Sequence, residues 1–221
     1  MKKRLTALFL VLCTAFSLIV PVSASSPNNS NQQLSKDNIN HIEAIFEKGS
    51  RVELLNDTGE DVTQETIDKC KQAYLNKDYH YIIDYIIENS LAIVWPEKSS
   101  SAYILNSVAK SRTITQYFDS PTGEQSNEWV SFHFEGSYQV DDYNGGKIMD
   151  GILPVKLVLE GAGNTHSFDY FFYYGDSYFT ISGNKREIKF TVSYSVSIGM
   201  KMTPGLISDT QYGKISFYGR T

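Results

Sequence analysis

The chain has 221 residues, with 20 basic against 25 acidic for a net charge of −5, and carries 15 tyrosines and 12 phenylalanines. No basic cluster offsets that acidic balance, which argues against nucleic acid and against anionic membrane surfaces as partners. Only two cysteines are present, Cys13 in an N-terminal apolar run and Cys70 beyond it, so no disulfide framework is expected and large aromatic side chains must supply much of the core.

The first segment reads as an address. Lys2, Lys3 and Arg4 precede an apolar run from Leu5 to Val20, and Pro21-Val22-Ser23-Ala24 offers the small residues that a signal peptidase reads. Cleavage after Ala24 (signal peptide 1–24) predicts a secreted protein with no transmembrane segment left after leader removal. Loss of the three leader cations takes the net charge from −5 to −8. The leader and the lack of disulfides together point to a bacterial extracellular setting. Residues 25–36 open S-S-P-N-N-S-N-Q-Q and read as a disordered tether.

Residues 37–98 read as a small helical region. Ile39, Ile42, Ile45 and Phe46 form one stripe with Gly49 past its end, and Asn56-Asp57-Thr58-Gly59 reads as a turn. A second helix is expected from Thr63 as its N-cap, with Ile67, Cys70 and Tyr74 inward. After Asn76-Lys77-Asp78 a third follows, with Ile82, Ile83, Ile86 and Ile87 inward. The stretch A-Y-L-N-K-D-Y-H-Y-I-I-D-Y, Ala73 to Tyr85, resembles the turn of a tetratricopeptide helix pair. A single unit with no repeat implies an αα-hairpin and not a peptide-binding groove. Leu91 to Trp95 is a strand or buried connector ended by Pro96, and Glu97 to Ser101 is the expected linker.

Residues 102–221 read as a β-sandwich domain. Its clearest strand is Ile188–Met202, where apolar and polar residues alternate at every position, the signature of a strand with one buried face. Glu128 to Val140 alternates in the same way, with Val130, Phe132, Phe134, Tyr138 and Val140 on one face. Arg112–Phe118, Val155–Glu160 with Pro154 at its entrance, Thr165–Tyr174, Ser177–Ser182 and Tyr212–Tyr218 complete about seven antiparallel strands. The expected fold is therefore mainly β with a small α part: an antiparallel sandwich, Ig-like or jelly-roll-like, preceded by a short helical hairpin.

Chemical motifs are sparse. His41, His80, His133 and His166 show no metal-ligand spacing, Cys70 sits on a helical stripe, and no nucleophile-elbow motif is present. Asp141, Asp142 and Asn144 depart from a calcium-loop pattern and read as a plain turn. No cofactor, metal or catalytic residue is predicted. The one constellation worth following is the outward face of the long strands. Trp129, His133, Phe171 and Tyr173 face away from the core by parity and form a candidate platform for stacking sugar rings, with Glu135 and Asp169 accepting hydroxyl hydrogen bonds. The competing structural reading has the helices, Thr63–Asn89 in particular, covering that patch.

The resulting expectation is a non-catalytic secreted protein acting by surface recognition of an extracellular glycan or protein. Two alternatives stand beside it. One is a membrane-active, pore-forming type using the amphipathic 188–202 strand, weakened by a preceding arm broken at Gly175-Asp176 and a short following arm after Pro204-Gly205. The other is a glycan-acting enzyme using carboxylates such as Glu135, Glu160 and Asp169.

Overall fold

The computed structural model describes residues 34–104, 107–119, 128–141, 145–163, 167–201 and 207–221. The leader, the tether up to residue 33, His166, and the Asp142 and Asn144 turn lie outside the described residues.

Three helices come first, interleaved with two short strands. Helix α1 (Lys36–Phe46) starts at Ser35, whose hydroxyl accepts a hydrogen bond from the Asn38 amide, and the chain reverses after it at Gly49, with φ of +82°. Strand β1 (Glu53–Leu55) follows, then α2 (Thr63–Leu75). Thr63 is the first residue of α2 and not its cap: Val62 stands at the cap position without a side-chain bond, and the carboxylate of Asp61 accepts the Thr63 amide at 2.9 Å. The Thr63 hydroxyl accepts the Leu54 amide at 2.7 Å instead, pinning the helix start to β1. Lys77, at φ of +57°, turns the chain, and Asp78 caps α3 (Tyr79–Glu88). Strand β2 (Ala92–Val94) closes this region.

Seven further strands run β3 (Lys98–Ile104), β4 (Ser107–Phe118), β5 (Glu128–Asp141), β6 (Lys147–Ala162), β7 (Phe168–Ile181), β8 (Glu187–Met200) and β9 (Ile207–Arg220). All pair antiparallel, in two sheets that make a β-sandwich. The larger sheet has the order β1-β2-β4-β5-β6, with β3 also on β4; the smaller has the order β7-β8-β9.

Both alternating strands fulfil their pattern. Ile188, Phe190, Val192, Tyr194, Val196 and Ile198 of β8 meet Val130, Phe132, Phe134 and Tyr138 of β5 in the core between the sheets. A second core lies on the other face of the larger sheet. There Ile42 and Ile45 of α1, Cys70 of α2 and Ile82, Ile83, Ile86 and Ile87 of α3 pack on Leu54, Ile93 and Tyr117. The layers are therefore helices, larger sheet and smaller sheet, and the helical region shares the larger sheet through β1 and β2.

Four elements differ from their sequence expectation, each for a physical reason. The expected linker Glu97–Ser101 is the start of β3, and β2 and β3 run along the same edge of β4. Val94 pairs with Ile114 and Lys98 with Ser111, so Trp95-Pro96-Glu97 forms a bulge where Pro96 has no amide to donate. Strand β6 is far longer than Val155–Glu160. Pro154 lies inside it, in an irregular stretch between the Glu135–Lys156 and Ser137–Ile152 pairs. Strand β7 is continuous through Gly175-Asp176, which form a bulge between the Tyr174–Tyr194 and Ser177–Val192 pairs. Strand β9, expected to be short, has 14 residues and pairs with β8 along its length.

Candidate functional site

The six residues singled out by parity fall in two places. Trp129, His133 and Glu135 lie on β5 of the larger sheet, on the face that the helices share. Asp169, Phe171 and Tyr173 lie on β7 of the smaller sheet, on the side turned away from the sandwich core. The two strands belong to different sheets, so the outward faces are opposite sides of the molecule and the six residues do not form one platform.

On the larger sheet the bulky end of the face is covered. His41 of α1 meets the Trp129 ring edge-on at 4.9 Å between centroids, and its Nδ1 lies 2.9 Å from the Tyr117 hydroxyl. The ring that meets Trp129 thus comes from α1, while α2 and α3 cover the same face at Ile93 and Tyr117. Trp95 joins from the bulge, its ring 5.5 Å from His41 and its indole N–H donating to Thr115 Oγ1 at 2.8 Å. Burial holds the His41 imidazole below its ordinary 6.5, with nearby Asp37 pulling it back up.

Further along the same face the helices end, and a cleft of about 410 Å³ opens. Trp95, Pro96, Glu97 and Lys98 line one side, Glu160 the other, and Thr113 and Ser131 contribute to its lining from the sheet. His133 stands behind Glu160, with Nδ1 2.8 Å from Oε1, while Lys98 Nζ is 3.6 Å from Oε2. Parity placed His133 on this face correctly. Glu160 is among the carboxylates the sequence offers, but Trp95 and Lys98 were missed because the bulge that brings them to it forms between β2 and β3, far from β5 and β6 in sequence. Pro96 was its only local signal.

Among the described residues nothing forms a second cover on the smaller sheet. Asp169 is exposed and lies 3.9 Å from Lys201 Nζ. Phe171 and Tyr173 are 46% and 72% exposed, and two residues not anticipated join them on the same face: Tyr178 at 48% and Tyr212 at 62%. Register puts Tyr173, Ser195 and Tyr212 in one row across the three strands. Neighbouring rows are Phe171, Ser197 and Thr210, and Tyr178, Thr191 and Ser216. The face is therefore a hydroxyl column on β8 flanked by aromatic rings, with Thr191 and Ser197 buried beneath them and Ser193 and Ser195 half-buried. Ser197 bonds Thr210 at 2.8 Å and Thr191 bonds Ser216 at 3.1 Å, which fixes the column, and Lys189 sits 5.8 Å from the Tyr218 ring at one end. With strands about 4.8 Å apart, Tyr173 and Tyr212 stand roughly 10 Å from one another.

Tyr178 was hidden by the bulge. Before Gly175 the odd residues of β7 face outward, and after Asp176 the even ones do, because two residues opposite one on β8 add a single extra residue and reverse the alternation.

No family model matches the chain, and no curated protein or solved structure matches it. The site must therefore be judged on its own geometry.

Among the described residues no group of three or more His, Cys, Asp or Glu is placed to hold a metal ion. The carboxylates considered for hydrolysis are divided: Asp169 lies on the smaller sheet, Glu135 and Glu160 on the larger. Cys70 is fully buried among the helices, and burial pushes its thiol up. Among the described residues no helix is long and apolar enough to cross a membrane.

Proposed function

We propose that this is an exported, non-catalytic protein that recognises extracellular carbohydrate through the outward face of the β7-β8-β9 sheet. The observation that carries the reading is the row arrangement: Phe171, Tyr173, Tyr178 and Tyr212 stand exposed around a Ser/Thr column on a three-stranded sheet in which β8 is paired along both edges. Sugar rings offer apolar C–H faces for stacking and hydroxyls for hydrogen bonds, and this face supplies both. Rings roughly 10 Å apart across the sheet and about 7 Å apart along a strand suit a chain of sugars lying flat better than a single buried ring. An exposed aromatic patch of this kind is uncommon on a monomer without a binding role. Asp169 at the margin supplies a carboxylate to accept hydroxyls.

The test is a glycan array followed by the Tyr173→Ala/Tyr212→Ala double variant. Binding by the wild type, abolished in the variant with unchanged melting, is expected. Wild-type silence on polysaccharides, or retention of binding by the variant, overturns the reading.

One observation favours a second reading. Strands β7, β8 and β9 are each 14 residues long, more than the roughly 9–11 that a membrane-crossing strand needs, so the expected short and broken arms no longer count against a membrane-active role. Against it, the even residues of β8 are already committed to the core, and releasing the sheet would open the sandwich. Dye release from liposomes at micromolar protein would favour it over carbohydrate recognition.

A further inference from the structure

The cleft on the larger sheet has no part in the platform, and its chemistry is specific enough to name a ligand class. We infer that it is a second binding site, for a single neutral polyhydroxylated ring such as a terminal pyranose. It lies on the opposite side of the sandwich from Tyr173 and Tyr212 and does not depend on the platform being real.

The cleft is a product of the fold and not a gap between loosely packed side chains. The bulge at Trp95-Pro96-Glu97 lets the chain leave the β4 ladder for three residues before β3 resumes it. The Trp95 amide still donates to the Thr113 carbonyl at 3.0 Å, and its indole N–H is fixed on Thr115 Oγ1, so the ring is held on both sides of its bond to the backbone. Thr115 Oγ1 also makes a very short contact with Ser131 Oγ. A rigid aromatic wall beside a hydroxyl-bearing lining results.

Charge decides between ligand classes. Glu160 is the central carboxylate, and it is already paired through both oxygens, with His133 behind and Lys98 in front. A cationic ligand would have to compete with Lys98 for it, and an anionic one would meet both Glu160 and Glu97. A neutral ligand avoids both penalties. Each carboxylate oxygen keeps a lone pair free and the Lys98 ammonium keeps donors free, so together they can accept and donate to vicinal hydroxyls. Trp95 offers an aromatic surface for the apolar side of a ring, and Thr113 and Ser131 bring hydroxyls to the site. The volume of about 410 Å³ lies at the small end of ligand pockets, which suits a monosaccharide or a chain end and not an extended polymer.

Intrinsic fluorescence reads this site directly. The chain has two tryptophans: Trp129 is covered by His41, while Trp95 lines the cleft. Titration of the whole protein with glucose, galactose, mannose and N-acetylglucosamine at millimolar concentrations is expected to give a saturable change for at least one of them. Glucosamine and glucuronate, the charged counterparts, should bind more weakly. Glu160→Gln should weaken the binding about tenfold or more, because a hydrogen bond to a charged acceptor is lost, and Thr113→Val should weaken it to a smaller extent. Both positions accept these changes without emptying a core. The inference is overturned if no neutral sugar gives a saturable change, if a charged sugar binds best, or if both variants bind as the wild type does. The signal comes from Trp95 and not from the outward tyrosines, so failure here and failure of the platform are separately visible.

Discussion

The two sheets each contain a long alternating strand of the same length, yet these strands live in different surroundings. Strand β5 and strand β8 each have 14 residues with large apolar side chains at alternate positions, interrupted in β5 only by Gly136, against which the Phe190 ring packs. The larger sheet is covered twice, by β8 and its neighbours on one face and by the helices on the other. Among the described residues the smaller sheet is covered once. The composition of the second face tells them apart: β5 turns Trp129 toward α1, whereas β8 turns Lys189, Thr191, Ser193, Ser195 and Ser197 outward. A large ring on the outward face does not by itself announce a cover, since Phe171 and Tyr173 of β7 stand exposed; what differs is that Trp129 meets a helix and the β8 face between the exposed rings is hydroxyls.

The sharpest way to break this comparison is to charge the two faces of β8. Val192 and Val196 are fully buried between the sheets. Val192→Asp or Val196→Asp should cost about 4–5 kcal/mol or more, enough to unfold the domain in denaturant titration. Ser195→Asp on the outer face should move stability by only about 0.5 kcal/mol. Equal damage would mean that the smaller sheet is covered on both faces.

A smaller effect probes how tightly the core rings are seated against glycines. Gly213 and Gly219 of β9 leave room for the rings of Tyr194 and Tyr138, and a Cβ at either would fall inside van der Waals contact. Gly136 and Gly151 do the same for Phe190 and Phe179, with a Cβ only 2.8 Å from ring atoms in each case. Gly213→Ala should therefore destabilise by about 1–3 kcal/mol in chemical denaturation, although it is the mildest change a glycine can suffer. A neutral or stabilising result would mean that Tyr194 has room to move away.

The smallest effect is a pH dependence confined to the helix side. Because burial lowers the His41 pKa, the unfolded chain takes up a proton near 6.5 that the folded protein refuses. The associated stability is fully present above 6.5 and is lost as the pH falls below it toward the folded value. Between about pH 7 and about pH 5 the wild type should lose more melting temperature than His41→Gln does. Asp84 and Asp119, whose carboxyls burial pushes up, act with the opposite sign at lower pH and are common to both proteins. Identical pH profiles would contradict a buried neutral His41 on Trp129.

Legibility in the sequence followed the range of the cause. Alternation is a property of adjacent residues, so the strand predicted at Ile188–Met202 closely matches β8, and the helical stripes of Ile42, Ile82 and Ile86 found their core. Bulges depend on the partner strand. Gly175-Asp176 and Pro154 both look like punctuation, yet each sits inside a paired strand, and the first reverses the parity on which Tyr178 had to be read. Sheet membership depends on strand order, which no local pattern encodes. That is why Trp129 and Phe171, with the same parity argument behind them, were expected on one platform and stand on opposite sides.

Trp129→Ala and Tyr173→Ala, melted side by side, test the central claim that one sheet is enclosed and the other bare. The enclosed ring should cost about 3–5 kcal/mol, roughly 10 °C in melting temperature. The exposed ring should cost no more than about 0.5 kcal/mol, a shift of about 1–2 °C. Comparable losses from the two variants would contradict the account, since Tyr173 would then be packed against something and the face proposed for recognition would not be open.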